Sequence, residues 1–213
     1  MLLSLFSCIA TARVPYSEFV LTPKSRILRP SQVYNVDGTV DDAKDLTTGQ
    51  SASTVFRGPS AVTYNFGKEV AGLVSFNVSE VVGSDGSFIG ISFTESSLWI
   101  NSEGCDATAD SGIDQALWWS VEPGDTYTAE KWHQRGGFRY LNVYHNTTGK
   151  VTFSDLNVYY TAIPQYSEEQ LATGIQTGYF AVKTSKSTEC GTLGHTQMKF
   201  ARSVQRQAIL LST

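Results

Sequence analysis

The chain is poor in the residues that carry the commonest chemistries. Three cysteines, Cys8, Cys105 and Cys190, stand among 213 residues. No pair of them has the short spacing of a zinc site or a redox motif. A Cys105–Cys190 disulfide is conceivable, but nothing in the sequence supports it. There are three histidines, His133, His145 and His195. No G-x-S-x-G string supplies an elbow for a nucleophile, so a Ser/His/Asp site has nowhere to assemble. Basic charge is scarce, with 16 Lys and Arg against 20 Asp and Glu and a net charge of −4. No basic stripe with interleaved aromatics is present, which argues against nucleic acid as a partner. Beyond the first dozen residues there is no long apolar run, so no membrane span is expected.

The apolar start, Met1 to Ala12, ends in Ala10-Thr11-Ala12. This small-x-small pattern suits signal peptidase, although no basic residue precedes it. Residues 1–12 therefore read as a signal peptide and the product as secreted and extracellular. Two N-glycosylation triplets agree, Asn77-Val78-Ser79 and Asn146-Thr147-Thr148. Asn146 is the better acceptor, because Asn146-Thr147-Thr148-Gly149 reads as a hairpin tip.

From about Ser53 to Thr161 the chain reads as short strands separated by turns. The expected strands are Ala71–Val78, Ser87–Glu95, Ala116–Val121, Thr126–Trp132, Phe138–Tyr144, Val151–Phe153 and Leu156–Thr161. Turn signals fall at Gly83-Ser84-Asp85-Gly86, Glu122-Pro123-Gly124-Asp125 and Asn146 to Gly149. Such spacing predicts an all-β, jelly-roll-like β-sandwich. Period-2 alternation places Glu95 on the face of Ile89, Ile91 and Phe93, and Arg139 on the face of Leu141 and Val143. Both charges should then point inward or lie at the rim of the core, paired with each other or with a ligand. The plainer reading is a buried or rim structural ion pair. Breaking a buried pair by Arg139→Ala would cost about 3–5 kcal/mol.

The segment Ser96–Asp114 has little strand pattern and four acids, Glu103, Asp106, Asp110 and Asp114. It reads either as a solvated acidic loop or as a functional loop. Its carboxylates make calcium the one conceivable ion, though the spacing matches no EF-hand. Otherwise no cofactor is expected. Trp99, Trp118 and Trp119, with Asp106, Asp110 and Asp114, are candidate carbohydrate contacts, and core packing is the plainer fate of such tryptophans. Adjacent in a strand, Trp118 and Trp119 cannot both face the core. No carboxylate pair on facing strands stands out as a glycosidase dyad.

Three strings together resemble the N-terminal β-sandwich region of fungal secreted α-L-rhamnosidase-like glycoside hydrolases. They are Tyr64-Asn65-Phe66-Gly67-Lys68-Glu69-Val70-Ala71-Gly72, Phe93-Thr94-Glu95-Ser96-Ser97-Leu98-Trp99-Ile100 and Gly136-Gly137-Phe138-Arg139-Tyr140-Leu141. The likeness runs from about Val14 to Phe180 and includes Asp106 to Asp114. It implies an accessory sandwich ahead of an (α/α)6 barrel of the six-hairpin glycosidase type. In that family the barrel carries the catalytic carboxylates that hydrolyse terminal rhamnosyl linkages. The implied organisation is a signal peptide at 1–12, a β-sandwich accessory domain at 13–165, a linker at 166–180 and a divergent tail at 181–213. No catalytic residue is expected in the chain. The partners implied are carbohydrate or the catalytic barrel. A free-standing carbohydrate-binding module and a purely structural sandwich are the alternatives.

The tail is compositionally foreign, with five basic residues, one acid and no Tyr, Trp or Asp. Shifting the codons around Gly194–Ala201 back by one base lets that stretch spell Ala-Gly-Ala-Tyr-Thr-Asn-Glu-Ile-Cys-Thr. That string resembles the first barrel helix of the family. Residues from about 181 therefore read as an out-of-frame translation, non-native or weakly helical, truncating the protein before its barrel.

Overall fold

The computed structural model describes residues 22–48, 52–83, 88–102, 105 and 115–173. These lie in one unit, Leu21–Gln176. The expected signal peptide, most of the acidic loop, Cys8, Cys190 and the tail fall outside the described residues.

The described chain is an all-β sandwich. Its strands are β1 (Ile27–Leu28), β2 (Gln32–Asp41), β3 (Ser53–Val82), β4 (Phe88–Thr94), β5 (Leu117–Ser120), β6 (Thr126–Thr128), β7 (Arg135–His145) and β8 (Lys150–Tyr160). One short helix, α1 (Glu168–Thr173), follows. All strand pairings are antiparallel and join into one curled sheet.

The 30-residue strand β3 makes two layers out of that sheet. Its first half pairs with β2 on one side and on the other with β8 at Ser53–Arg57 and then with β7, which continues to β4 and β5. Its second half pairs with β8 and β6, and β8 also holds β1. Lys150 of β8 is opposite both Arg57 and Val82, so the two ends of β3 lie against the same end of β8. A strand that crosses from one layer to the other in this way turns the corner of a sandwich through irregularities in its register. Those irregularities fall at residues 57–72, 75–77 and 78–80 on the β8 side.

Alternation along β3 supplies the core. Val74, Phe76 and Val78 are buried, with half-buried residues between them. They pack with Phe56, Val62, Tyr64, Ile89, Ile91, Leu141, Val143, Val151, Phe153 and Leu156. Phe76 stacks on Phe153 at 4.5 Å and on Tyr127 at 5.3 Å. At Gly72 β3 passes so near β8 that a Cβ would run into the carbonyl of Tyr159. Burial pushes the Tyr64 phenol above its usual range, so it stays protonated and donates to the Ala43 carbonyl at 3.0 Å.

The strand bounds differ from the sequence reading in several places. The separate segments 151–153 and 156–161 are one strand, β8, which continues through Asp155 at φ +50°. The strand expected at Thr126–Trp132 ends at Thr128. Ala129 N–H then bonds to Val74 O, and Lys131–His133 form a 3-10 turn. Strand β2, an exposed strand interrupted at Gly38 (φ +74°), lacks an alternating apolar face and was not anticipated.

Arg139 and Glu95 are not the buried pair that alternation suggested. Glu95 is exposed and Arg139 is half-buried. Asn65 pairs with Tyr140 and Val70 with Phe138, so Phe66–Glu69 of β3 face Arg139 alone on β7. This bulge shifts the face: Phe138 and Leu141 both enter the core. Arg139 turns the other way. Its Nε donates to Asn65 Oδ1 at 3.1 Å, and its guanidinium lies 5.4 Å over the Tyr140 ring.

The exit from β8 is held by a buried arginine. Arg26 donates to the carbonyls of Tyr160, Ala162, Ile163 and Tyr166 at 2.6–3.0 Å. Glu168, at the start of α1, accepts from Arg26 N–H and from Ser25 Oγ. Beyond the sandwich's backbone ladder, this polar clamp fixes the segment 160–168, whose last three residues begin the stretch read as a linker.

Candidate carbohydrate-binding groove

The two adjacent tryptophans of β5 go to different faces, as the strand pleat requires. Trp119 packs edge-on against Phe76 with centroids 5.3 Å apart and belongs to the core wall. Trp118 lies opposite Gly90 of β4, which in turn lies opposite Tyr144 of β7. Its ring covers the glycine so closely that a Cβ at position 90 would sit 2.8 Å from the indole. The far side is bounded by Tyr144, edge-on at 5.8 Å. Gly90 therefore seats the indole, a pairing of an aromatic with a cross-strand glycine known to stabilise sheets. With 42% of its surface exposed, Trp118 offers an apolar face to solvent.

Beside it is a groove of about 260 Å³ lined by Leu117, Trp118, Trp119, Thr128, Glu130 and His133. Among the described residues strand β5 ends one sheet path, and β6 pairs with β3 alone. The groove thus runs between a strand edge of one layer and the turn that follows β6 in the other. Glu130, Thr128 and His133 are exposed and bring a carboxylate, a hydroxyl and an imidazole beside the aromatic wall. A sugar presents a C–H face and a rim of hydroxyls. A flat aromatic with a few convergent polar groups matches both.

Trp99 is on the 3-10 turn Ser97–Trp99 and does not line this groove. It is 63% exposed, next to exposed Leu98. The loop beneath it is tied to the outer face of β4 and β7. Ser92 Oγ bonds to Asn101 O, and Asn142 Nδ2 donates to Ser102 Oγ at 3.2 Å. Asn142 itself meets Thr63 Oγ1 at 3.0 Å. Asp106, Asp110 and Asp114 lie outside the described residues. Among the described residues no group of three or more His, Cys, Asp and Glu is gathered to hold a metal.

The three strings that carry the family resemblance meet at one rim of the sandwich, where β3, β4 and β7 adjoin. Asn65 Oδ1 accepts from Gly67 N–H at 2.7 Å as well as from Arg139. A Cβ on Gly137 would be 3.5 Å from Glu69 Oε2 and from Glu95 Oε1, so both carboxylates flank that glycine. Burial lowers the Lys68 ammonium below its usual value.

His133 was weighed in the sequence only as an acid–base candidate, and Glu130 and Thr128 not at all. Their place beside β5 depends on the pairing of β6 with β3, which no local pattern reveals.

No protein-family model matches the chain. No curated protein matches it either. Among solved structures, a rhamnosidase from Klebsiella oxytoca with rhamnose bound aligns at 15% identity and a TM-score of 0.39, over 63% of this chain and 28% of that one. The CBM32 of AlyQ in complex with 4,5-unsaturated mannuronic acid aligns at 11% identity and a TM-score of 0.39, over 60% of this chain and 95% of that one. A truncated AlyQ with CBM32 and alginate lyase domains aligns at 10% identity and a TM-score of 0.39, covering 62% and 33%.

Proposed function

We propose that the chain is a secreted, non-catalytic accessory domain of an α-L-rhamnosidase-like glycoside hydrolase, and that it binds carbohydrate in the groove beside Trp118. The observation that carries the binding reading is the groove itself: an indole seated on Gly90, flanked by Thr128, Glu130 and His133. The family reading rests on the three strings that adjoin at the β3–β4–β7 rim. In this reading the sugar's C–H face stacks on Trp118 while Glu130 and His133 receive its hydroxyls. The hydrolytic carboxylates belong to the catalytic barrel, the domain's partner. The barrel would be encoded after about residue 180, in the frame displaced by one base. An in-frame transcript carrying the present tail would sink that part.

The test is a titration with L-rhamnose and rhamnosyl oligosaccharides, followed by tryptophan fluorescence, with and without calcium. A saturable response that Trp118→Ala abolishes and Trp99→Ala leaves intact is expected. No response to any of these sugars would favour a purely supporting sandwich. A chromogenic rhamnoside should not be turned over, and clear turnover would overturn the non-catalytic assignment.

A further inference from the structure

The two glycosylation triplets occupy opposite structural situations. Asn77 lies within the last part of β3, paired between β8 at Ser154 and β6 at Thr126. Its Oδ1 accepts from Thr126 Oγ1 at 2.8 Å, and Ser79, the third residue of that triplet, donates to Thr152 O at 3.4 Å. Both side chains that a glycosyltransferase must read are thus engaged, and both neighbouring strands leave no room for the chain to bend away.

Asn146 is the reverse case. It follows the last residue of β7 at the tip of the β7–β8 hairpin, where residues 147–149 bend back toward β8. Asn146 and Thr148 are exposed, and neither side chain makes a hydrogen bond among the described residues. The tip is nevertheless well supported from below. His145 is buried; its Nδ1 is 2.9 Å from Gly58 O and its Nε2 is 2.8 Å from Thr147 Oγ1. A carbonyl can only accept, so Nδ1 carries the proton and Thr147 donates to Nε2. Burial holds His145 below its usual value, which favours this neutral form. Gly58 N–H also bonds to Gly149 O at 2.8 Å. The middle residue of the triplet is therefore locked down, while the acceptor and the hydroxyl-bearing third residue face solvent.

We infer that Asn146 is an N-glycosylation site of the folded domain and that Asn77 is not. The inference rests on the reading that the chain enters the secretory pathway. The donor is an oligosaccharide carried on a polyprenyl pyrophosphate. The Asn146 amide nitrogen attacks the anomeric carbon and forms the N–C bond. The C–O bond to the pyrophosphate breaks, and the lipid pyrophosphate leaves with its electron pair. One amide proton passes to a base of the transferase. No oxidant or reductant is needed. The glycan projects from the hairpin tip, on an exposed asparagine whose replacement breaks no side-chain hydrogen bond among the described residues.

The experiment expresses the full chain behind an added secretory leader in a yeast host, so that entry into the pathway does not depend on residues 1–12. Secreted protein is treated with peptide-N-glycosidase in heavy-oxygen water and the triplets are read by mass spectrometry. Label at Asn146 and none at Asn77 is expected. Asn146→Gln and Thr148→Ala should each abolish the mobility shift, while Asn77→Gln leaves it unchanged. Secreted, folded protein unmodified at Asn146, or modified at Asn77, overturns the inference. Expression without the added leader separately tests the secretion reading: protein retained in the cell there would fail that reading and leave the site result standing.

Discussion

The side of the sandwich where β3 wraps β8 differs in kind from the side where β5 and β6 end. On the first, every strand has a neighbour, and the aromatic stack Phe76–Phe153 and Phe56–Phe153 lies beneath the ladders. On the second, the pairing stops and an indole, a carboxylate and an imidazole are left around a groove. Folding free energy is concentrated where burial is complete; recognition needs groups whose partners are still missing. Phe76 joins the two regions, packing against Trp119 of β5 and Tyr127 of β6, and so anchors the groove wall to the core. Substitutions should therefore separate into those that unfold the chain and those that only empty the groove.

The largest effect is expected at Phe153. It is fully buried and makes ring contacts with both Phe56 and Phe76, so Phe153→Ala removes the centre of the stack. A loss of about 3–5 kcal/mol follows from the buried area and the cavity left behind. Urea unfolding monitored by circular dichroism measures it. A loss under about 1 kcal/mol would mean that the wrapped side is not where stability resides.

Next comes Arg26→Met, which keeps the aliphatic stem and removes the guanidinium. Four carbonyls lose their donor, one of them buried. Orphaned acceptors cost about 1–3 kcal/mol when buried and less where water reaches them, so a total near 2–3 kcal/mol is expected. Limited proteolysis should also move its first cut into residues 161–168. An unchanged cleavage pattern would show that β8 alone holds this segment.

Much of the closed side was legible in the sequence, and little of the groove. Strand β4 announces itself by Ile89, Ile91 and Phe93, and the tips at Glu122–Asp125 and Asn146–Gly149 by their turn residues. The separation of Trp118 from Trp119 follows from the pleat alone. What failed were inferences that carried alternation through a bulge. Phe66–Glu69 reads locally as a break, yet β3 runs on through it and displaces the faces of β7 by one residue. Strand β2 was missed because exposed edge residues such as Asn35, Asp37 and Gly38 carry no periodic signal. Glu130 and His133 could not be joined to Trp118 without long-range pairing.

Arg139→Ala sharpens the same boundary from the rim. A buried ion pair would have made this change cost about 3–5 kcal/mol. The arginine instead gives one hydrogen bond to Asn65 and stacks over Tyr140, half in solvent. Asn65 Oδ1 keeps its bond from Gly67 N–H in the variant. The expected loss is therefore about 1–2 kcal/mol, one charge-assisted hydrogen bond plus a cation–π contact. Thermal melts of Arg139→Ala and Arg139→Lys check it. A loss above about 3 kcal/mol would restore the inward placement of this side chain.

Trp118→Ala should have the smallest effect on folding and the clearest effect on binding. The indole is partly exposed and contributes an edge contact to Tyr144 and cover for Gly90, together worth about 1 kcal/mol. Trp119→Ala, one residue away, removes a wall of the core at Phe76 and should cost about 3 kcal/mol. The neighbouring pair is thus an internal control within a single strand. If the groove is a binding site, Trp118→Ala loses the fluorescence response to sugar while its melting curve stays close to that of the parent. If both tryptophans destabilise equally and neither alters binding, Trp118 is ordinary packing. The open edge of the sandwich would then be no more functional than the side that β3 closes.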